Sequence, residues 1–78
     1  MNNNTTTLSN LAPGEVAVVH ELAGGWGFTS RLATLGFTPG ANLTMVQNFG
    51  HGPLIVSIRG TRIALGRGEA AKVYVTKE

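Results

Sequence analysis

Residues 31–40, RLATLGFTPG, combine a helical pattern, a helix stop and a tight turn in one short stretch. Leu32 and Leu35 are three residues apart, so they share one face of a helix. Gly36 suits the left-handed backbone conformation that ends a helix, and the Pro-Gly pair that follows suits the middle of a type II turn. The segment therefore predicts a short helix that ends abruptly and leads at once into a strand.

Short strand patterns surround this helix. Apolar residues that alternate or are β-branched predict strands at residues 15–21, 41–47, 54–59, 62–65 and 72–76. The third and fourth of these are adjacent and read as a β-hairpin. Five short strands and one helix in so short a chain are best accommodated by a small, strongly bent β-barrel. Closure of the sheet into a barrel also removes exposed edges. We therefore expect a mainly β fold of about five strands, with one short helix inserted after the first strand.

The chain has 78 residues and no cysteine, which excludes disulfides and thiolate metal sites. A chain of this length forms one domain. Leu8 and Leu11 are the first apolar anchors, so we expect residues 1–7 to be a disordered tail and residues 8–78 to be the barrel domain. There is no signal-peptide pattern, and no apolar run approaches the ~20 residues of a membrane span. We expect a soluble, cytoplasmic protein without direct membrane insertion.

The order of these motifs resembles the FeoA family of small SH3-like proteins of bacterial and archaeal ferrous iron uptake. The resemblance runs from about Leu8 to Val75. It is carried by LAPG at 11–14, RL at 31–32, LGF at 35–37, PG at 39–40, GP at 52–53, the run 56–65 and EA at 69–70. The resemblance implies an SH3-like barrel that acts as a cytosolic accessory protein. Its implied partner is a FeoB-type membrane iron transporter with a cytosolic G-protein domain, whose assembly or activity it modulates at the inner face of the membrane.

The sequence contains no pattern for catalysis. Ser9, Ser30 and Ser57 are its serines, and none lies in a nucleophile-elbow motif. The run GGWG at 24–27 lacks both the lysine of a P-loop and the spacing of a dinucleotide-binding loop. We therefore expect a protein that is not an enzyme.

Four residues are candidates for partner binding. Trp26 and Phe28 lie beside flexible glycines, and one or the other forms a candidate apolar contact patch with Ile55 on the outer face of its strand. The alternative is that Trp26 covers one end of the barrel and Phe28 packs the helix onto it. Arg31 either binds a carboxylate of the partner or pairs internally with Glu69 or another acid, and we favour the internal pair.

Metal binding has a poor supply of ligands. His20 and Glu21 offer an imidazole and a carboxylate, and His51 is a third candidate from the loop at 48–53. Stable ferrous sites need several converging nitrogen or oxygen ligands. We therefore expect no cofactor, with weak binding of a divalent metal such as Fe²⁺ left open.

The sequence leaves two other functions open. One is a metal-responsive regulatory SH3-like module, which stoichiometric metal binding at His20 or His51 would support. The other is a small nucleic-acid-binding barrel that uses Arg59, Arg62, Arg67 and Lys72. Charged residues make up only 13% of the chain and no aromatic residues interleave with these cations, so nucleic acid is the disfavoured partner. A homo-oligomer is also open, because an unclosed sheet edge can pair with another copy.

Overall fold

The computed structural model describes residues 4–77. Within this range the chain forms six β-strands, two α-helices and one 3₁₀ turn. In chain order they are β1 (Thr5–Thr7), the 3₁₀ turn (Leu8–Asn10), β2 (Val16–Leu22), α1 (Trp26–Thr34), β3 (Asn42–Gln47), β4 (Leu54–Ile58), β5 (Thr61–Leu65), α2 (Arg67–Ala70) and β6 (Val73–Lys77). Neither helix in this part of the chain is long and apolar enough to cross a bilayer.

The six strands form one antiparallel sheet in the order β1-β6-β2-β3-β4-β5. Its register is interrupted between Val19 and Glu21 in β2 and between Met45 and Gln47 in β3. Such bulges bend a strand and increase its twist, which lets a short sheet curl around a small core. The predicted mainly β fold with a short helix is confirmed.

The core consists of apolar side chains from alternate strand positions. Leu54, Val56 and Ile58 of β4 are buried, whereas the residues between them are only half-buried. The same alternation holds in β6, where Val73 and Val75 point inward. The buried side chains of residues 4–77 are all apolar, so the fold is held by hydrophobic burial and close packing.

The prediction of a disordered tail is wrong for Thr5–Thr7, which form β1 and pair with β6. Residues 1–3 of that predicted tail lie outside the described residues. The prediction rested on the small number of apolar side chains that residues 1–7 can bury. However, β6 offers a row of backbone donors and acceptors, and a polar strand can bond to them as well as an apolar strand can. As a consequence the sheet has six strands, and α1 follows the second of them.

The predicted helix stop at Gly36 is confirmed. The backbone N–H of Phe37 donates to the C=O of Leu32, and that of Gly36 donates to the C=O of Ala33, each at 3.0 Å. With Gly36 at φ +109° this is a Schellman motif. Leu32 and Phe37, the two residues that flank it, are both fully buried. The helix end is thereby fixed onto the barrel.

The predicted β-hairpin is also confirmed, with a two-residue turn at Arg59 and Gly60. Their φ angles are +53° and +76°, so the turn is of the type I′ class that matches the twist of a hairpin. Ile58 and Thr61 are the paired residues that flank it. Arg59 is the one non-glycine residue with positive φ in the described chain.

Candidate functional site

One side of α1 borders an apolar cleft of about 410 Å³, which we call the α1 cleft. The helix contributes Trp26, Thr29, Ser30 and Ala33 to its lining. The opposite walls are Glu21 and Leu22 at the end of β2, and the turn residues Phe37, Thr38 and Pro39. The cleft is thus built from the helix stop and turn at 36–40 facing the bent end of β2.

The sequence of α1 explains why the cleft is open. Positions 26, 29, 30 and 33 lie three and four residues apart and so form one helical face. Three of these residues have small side chains, which leave space beside the barrel, and the fourth is a tryptophan at the first turn. Trp26 is 84% exposed, so the largest apolar side chain of the helix stands in solvent at the border of the cleft.

Trp26 and Phe28 have different surroundings. The exposure of Trp26 means that the alternative in which it covers the end of the barrel is wrong. Phe28 is half-buried against the core, with the Lys72 ammonium 5.5 Å from its ring centre. Gly24 packs so closely on the Phe28 ring that an added Cβ would lie 2.5 Å from it. Phe28 therefore packs α1 onto the barrel, which is the second part of that alternative.

Arg31 pairs internally with Glu69 of α2, which is the alternative that the sequence favoured. The guanidinium donates to Glu69 Oε2, while Glu69 Oε1 accepts from the Gly66 backbone N–H at 3.1 Å. The Gly66 N–H, followed by the Arg31 guanidinium, holds the pKa of Glu69 below its ordinary value. One carboxylate thus caps α2 and joins it to α1.

The chain matches the FeoA domain family over residues 6–77. This protein belongs to the FeoA domain family. A Methanocaldococcus jannaschii protein with the provisional name Fe(2+) transport protein A is 39% identical to this FeoA domain over 62 residues, 80% of this chain and 74% of the relative.

Two solved structures share the whole fold with this FeoA domain. A crystal structure of a FeoA described as an iron uptake regulatory protein is 35% identical, with a TM-score of 0.90 over 95% of this chain and 99% of that one. A Stenotrophomonas maltophilia FeoA crystallised with zinc and described as a prokaryotic SH3 domain protein is 34% identical, with a TM-score of 0.82 over 94% and 95% of the two chains. The SH3-like fold and the FeoA resemblance are confirmed.

The four candidate partner-binding residues of this FeoA domain lie in different surroundings. Trp26 lines the α1 cleft, whereas Phe28 and Arg31 lie on other faces of the helix, toward β6 and α2. Ile55 is half-buried in β4, opposite Ala64, and does not line the cleft. The partner-binding roles of these residues stay predictions.

The walls of the cleft could not be identified from the sequence. Leu22, Ala33 and Pro39 lie far apart in the chain and carry no chemical motif. The available signal was the i, i+3, i+4, i+7 spacing of one tryptophan and three small residues in α1. That spacing shows which face of the helix carries small side chains. Which residues lie opposite that face depends on how the sheet bends.

The candidate metal ligands of this FeoA domain are divided by the fold. His20 Nε2 lies 4.0 Å from Glu21 Oε1, and both side chains are exposed. His20 is near the start of β3, because Val18 pairs with Asn42, whereas His51 follows the end of β3. The third candidate, His51, therefore lies apart from His20 and Glu21. Between residues 4 and 77 no three His, Cys, Asp or Glu side chains come together as a metal site.

The cations proposed for nucleic-acid binding do not all lie on one surface, because Arg67 and Arg59 contact different parts of the barrel. Arg67 donates to the Gly52 C=O at 3.1 Å and to Asn48 Oδ1. Asn48 in turn donates to the Leu11 C=O at 2.7 Å, so Arg67 organises the loop between β3 and β4. Arg59 instead lies over Gly36, where an added Cβ would be 2.8 Å from Arg59 Cδ.

Proposed function

We propose that this FeoA domain is a cytosolic accessory protein of ferrous iron uptake. It binds the cytosolic part of a FeoB-type membrane transporter, which carries a G-protein domain, and modulates the assembly or activity of that transporter. The protein itself does no chemistry and reaches the inner face of the membrane only through its partner. The family membership and the transport name of the archaeal relative support this assignment.

The α1 cleft is the observation that carries the proposal. Trp26 is 84% exposed beside an apolar cleft, and the exposure of this apolar surface to water is unfavourable. Apolar surfaces of this kind mark sites that a binding partner covers. Tryptophan is also the residue type most enriched among the few side chains that dominate binding energy. We infer that an apolar side chain of the transporter enters the α1 cleft and packs against Trp26.

Iron is cargo of the transporter in this proposal and not a resident cofactor of the FeoA domain. A stable ferrous site needs more ligands than the exposed pair His20 and Glu21 provides. We propose at most weak Fe²⁺ binding at that pair. The zinc of the Stenotrophomonas maltophilia FeoA belongs to that protein. A stoichiometric Fe²⁺ complex that His20→Ala abolishes would favour the metal-responsive alternative instead.

Calorimetric titration of the FeoA domain into the cognate transporter in nanodiscs, with and without guanine nucleotide, tests the proposal. We expect saturable binding, weakened in Trp26→Ala by about 2 kcal/mol, or about thirtyfold in Kd. Phe49→Ala is the matched control, because Phe49 is 69% exposed in the loop between β3 and β4 and does not line the cleft. It should bind like the wild type.

Two results would contradict different parts of this proposal. Equal affinity of wild type and Trp26→Ala would exclude the α1 cleft as the docking surface while leaving the accessory role standing. Absence of binding in both nucleotide states, with a protein that is folded by its amide NMR spectrum, would overturn the accessory role itself.

A further inference from the structure

Strand β5 lies at the end of the sheet and pairs on one side only, with β4. The turn between the two strands determines which N–H and C=O groups of β5 form hydrogen bonds with β4. A bridge between Ile58 and Thr61 across a two-residue turn requires that these residues exchange both of their hydrogen bonds. By alternation Ile63 and Leu65 also bond to β4. The N–H and C=O groups of Arg62 and Ala64 therefore point away from the sheet.

This edge is open to solvent in the described structure. Thr61, Arg62 and Ala64 are all exposed. Among residues 4–77 no backbone hydrogen bond runs from β5 to a segment other than β4. The edge also differs from the opposite one, since β1 has only three residues and its last two are half-buried. An uncovered edge strand of this length is a template for another strand.

The charge at this edge is positive. Arg59 and Arg62 have no carboxylate within ion-pair distance among residues 4–77, whereas Arg31 and Lys77 pair with acids. Arg59 is held in the turn at φ +53°, a position where Asn, Asp or Gly is the usual residue. Its alkyl chain rests on Gly36, which fixes the guanidinium near the tip of the hairpin. The hairpin thus carries two cations, Arg62 in the edge strand and Arg59 in the turn that precedes it.

We propose that the free edge of β5 binds an extended acidic segment of a partner protein, which adds to the sheet as a further strand. Its backbone would pair with Arg62 and Ala64, and its carboxylates would contact Arg59 and Arg62. Strand addition of this kind takes its affinity from main-chain hydrogen bonds and its specificity from side chains. No residue of β5 lines the α1 cleft, so this second surface stands independently of the proposed docking of Trp26.

A second copy of this chain is the less suitable occupant. Strand β5, with the sequence TRIAL, contains no carboxylate, so a second β5 strand would offer Arg62 no opposite charge. The acidic segment meets the same edge with opposite charge.

Amide hydrogen exchange of the free protein tests the geometry first. The amides of Thr61 and Ile63 should be protected by β4, while those of Arg62 and Ala64 should exchange much faster. Equal protection of all four would show that the edge is already covered and would overturn the proposal. Protection of Arg62 and Ala64 that grows with protein concentration would identify a second copy as the occupant and would also overturn it.

An NMR titration then tests the occupant with two synthetic peptides, Ac-Glu-Thr-Glu-Val-Glu-Thr-amide and its counterpart with lysine in place of glutamate. The acidic peptide should shift the Arg62 and Ala64 amide signals saturably, and the lysine peptide should not. Equal effects of the two peptides, or shifts confined to α1, would overturn the assignment.

Two variants separate the backbone contribution from the charge contribution. Ala64→Pro removes an outward N–H, which an edge strand tolerates, and should abolish the shifts in a folded protein. Arg59→Asn with Arg62→Gln keeps the edge, suits the type I′ turn better and should weaken acidic-peptide binding about fivefold. If Ala64→Pro fails to fold, the double variant still tests the proposal. An unchanged affinity of that variant for the acidic peptide would contradict the role assigned to Arg59 and Arg62.

Discussion

At the scale of single residues, the Glu69 side chain joins two helices through one carboxylate. Its two oxygens accept from the Gly66 N–H and from Arg31, so it caps α2 and ties that helix to α1. The pair is at the surface, with side-chain exposures of 52% for Arg31 and 36% for Glu69. Water screens such a pair, and its contribution is therefore modest.

We expect Arg31→Ala to lower the free energy of unfolding by about 0.5–1 kcal/mol at neutral pH, which corresponds to a few degrees in Tm. Glu69→Gln retains an oxygen for the Gly66 N–H and removes only the charge. It should therefore cost about as much as Arg31→Ala, and the double variant should cost little more. Thermal unfolding of the four proteins completes the cycle, and an additive double variant would mean that the two side chains are not coupled.

The same pair predicts a pH dependence. The folded-state pKa of Glu69 is lowered, so the unfolded chain binds its proton first as the pH falls. The stabilisation is therefore complete above the ordinary carboxyl pKa of about 4.3 and is lost as the pH falls through the lower folded value. Denaturant unfolding should show wild type and Arg31→Ala converging in acid. A difference that persists unchanged below that range would contradict the ion pair as its source.

At the scale of elements, the end of α1 determines where the cleft lies. The Schellman motif at Gly36 reverses the chain, and the turn at 38–41 closes with a bond from the Ala41 N–H to the Thr38 C=O at 2.9 Å. The chain then runs beside β2, where the Gly40 N–H donates to the Val19 C=O at 2.8 Å. A different helix end would move the opposite wall of the cleft.

Two glycines of this element should respond in opposite ways to alanine. Gly36→Ala places a Cβ at φ +109° and against the Arg59 side chain, so we expect a loss of about 1–3 kcal/mol. Gly27→Ala lies in α1 with nothing within 4 Å of the new Cβ and should stabilise by up to about 1 kcal/mol. Urea unfolding measures both. Adding Arg59→Ala to Gly36→Ala should restore only part of the loss, because the backbone strain remains.

At the scale of the whole molecule, the cations are used mainly for internal contacts. Lys77 lies 3.6 Å from Glu15, which joins β6 to the start of β2. Lys72 lies over Phe28, and Arg67 holds the loop between β3 and β4. The net charge of +2 in the full sequence is therefore spread around the barrel, and among residues 4–77 the β4–β5 hairpin is the place where two cations without an acidic partner lie close in the chain.

This distribution predicts weak binding to nucleic acid. Arg59 and Arg62 are the two cations that one hairpin offers for phosphate contacts. The plot of log K against log salt concentration for a labelled DNA duplex should therefore have a slope no steeper than about −2. Fluorescence anisotropy over a range of salt concentrations measures it. A slope of −5 or steeper, on the order of that shown by proteins with many phosphate contacts, would restore the nucleic-acid-binding alternative.

Most of the elements could be predicted from the sequence because their signals are local. Glycine at position 36 and the Pro-Gly pair after it depend on backbone sterics, which are the same in any fold. The alternation in β4 and β6 likewise reports which side of a strand is buried. The pairing of Arg31 with Glu69 was one of two alternatives that the sequence left open, since sequence alone gives no distance across 38 positions.

The sequence by itself determined the barrel class, the helix stop, the hairpin and the inward faces of β4 and β6, because each depends on neighbours within a few positions. Only the tertiary structure decided that Thr5–Thr7 form a strand, that Trp26 stands exposed beside a cleft, and that His20 and His51 lie at opposite ends of β3. These outcomes depend on backbone groups and surfaces contributed by distant segments. Their positions are set by how the whole sheet bends, which no local pattern encodes.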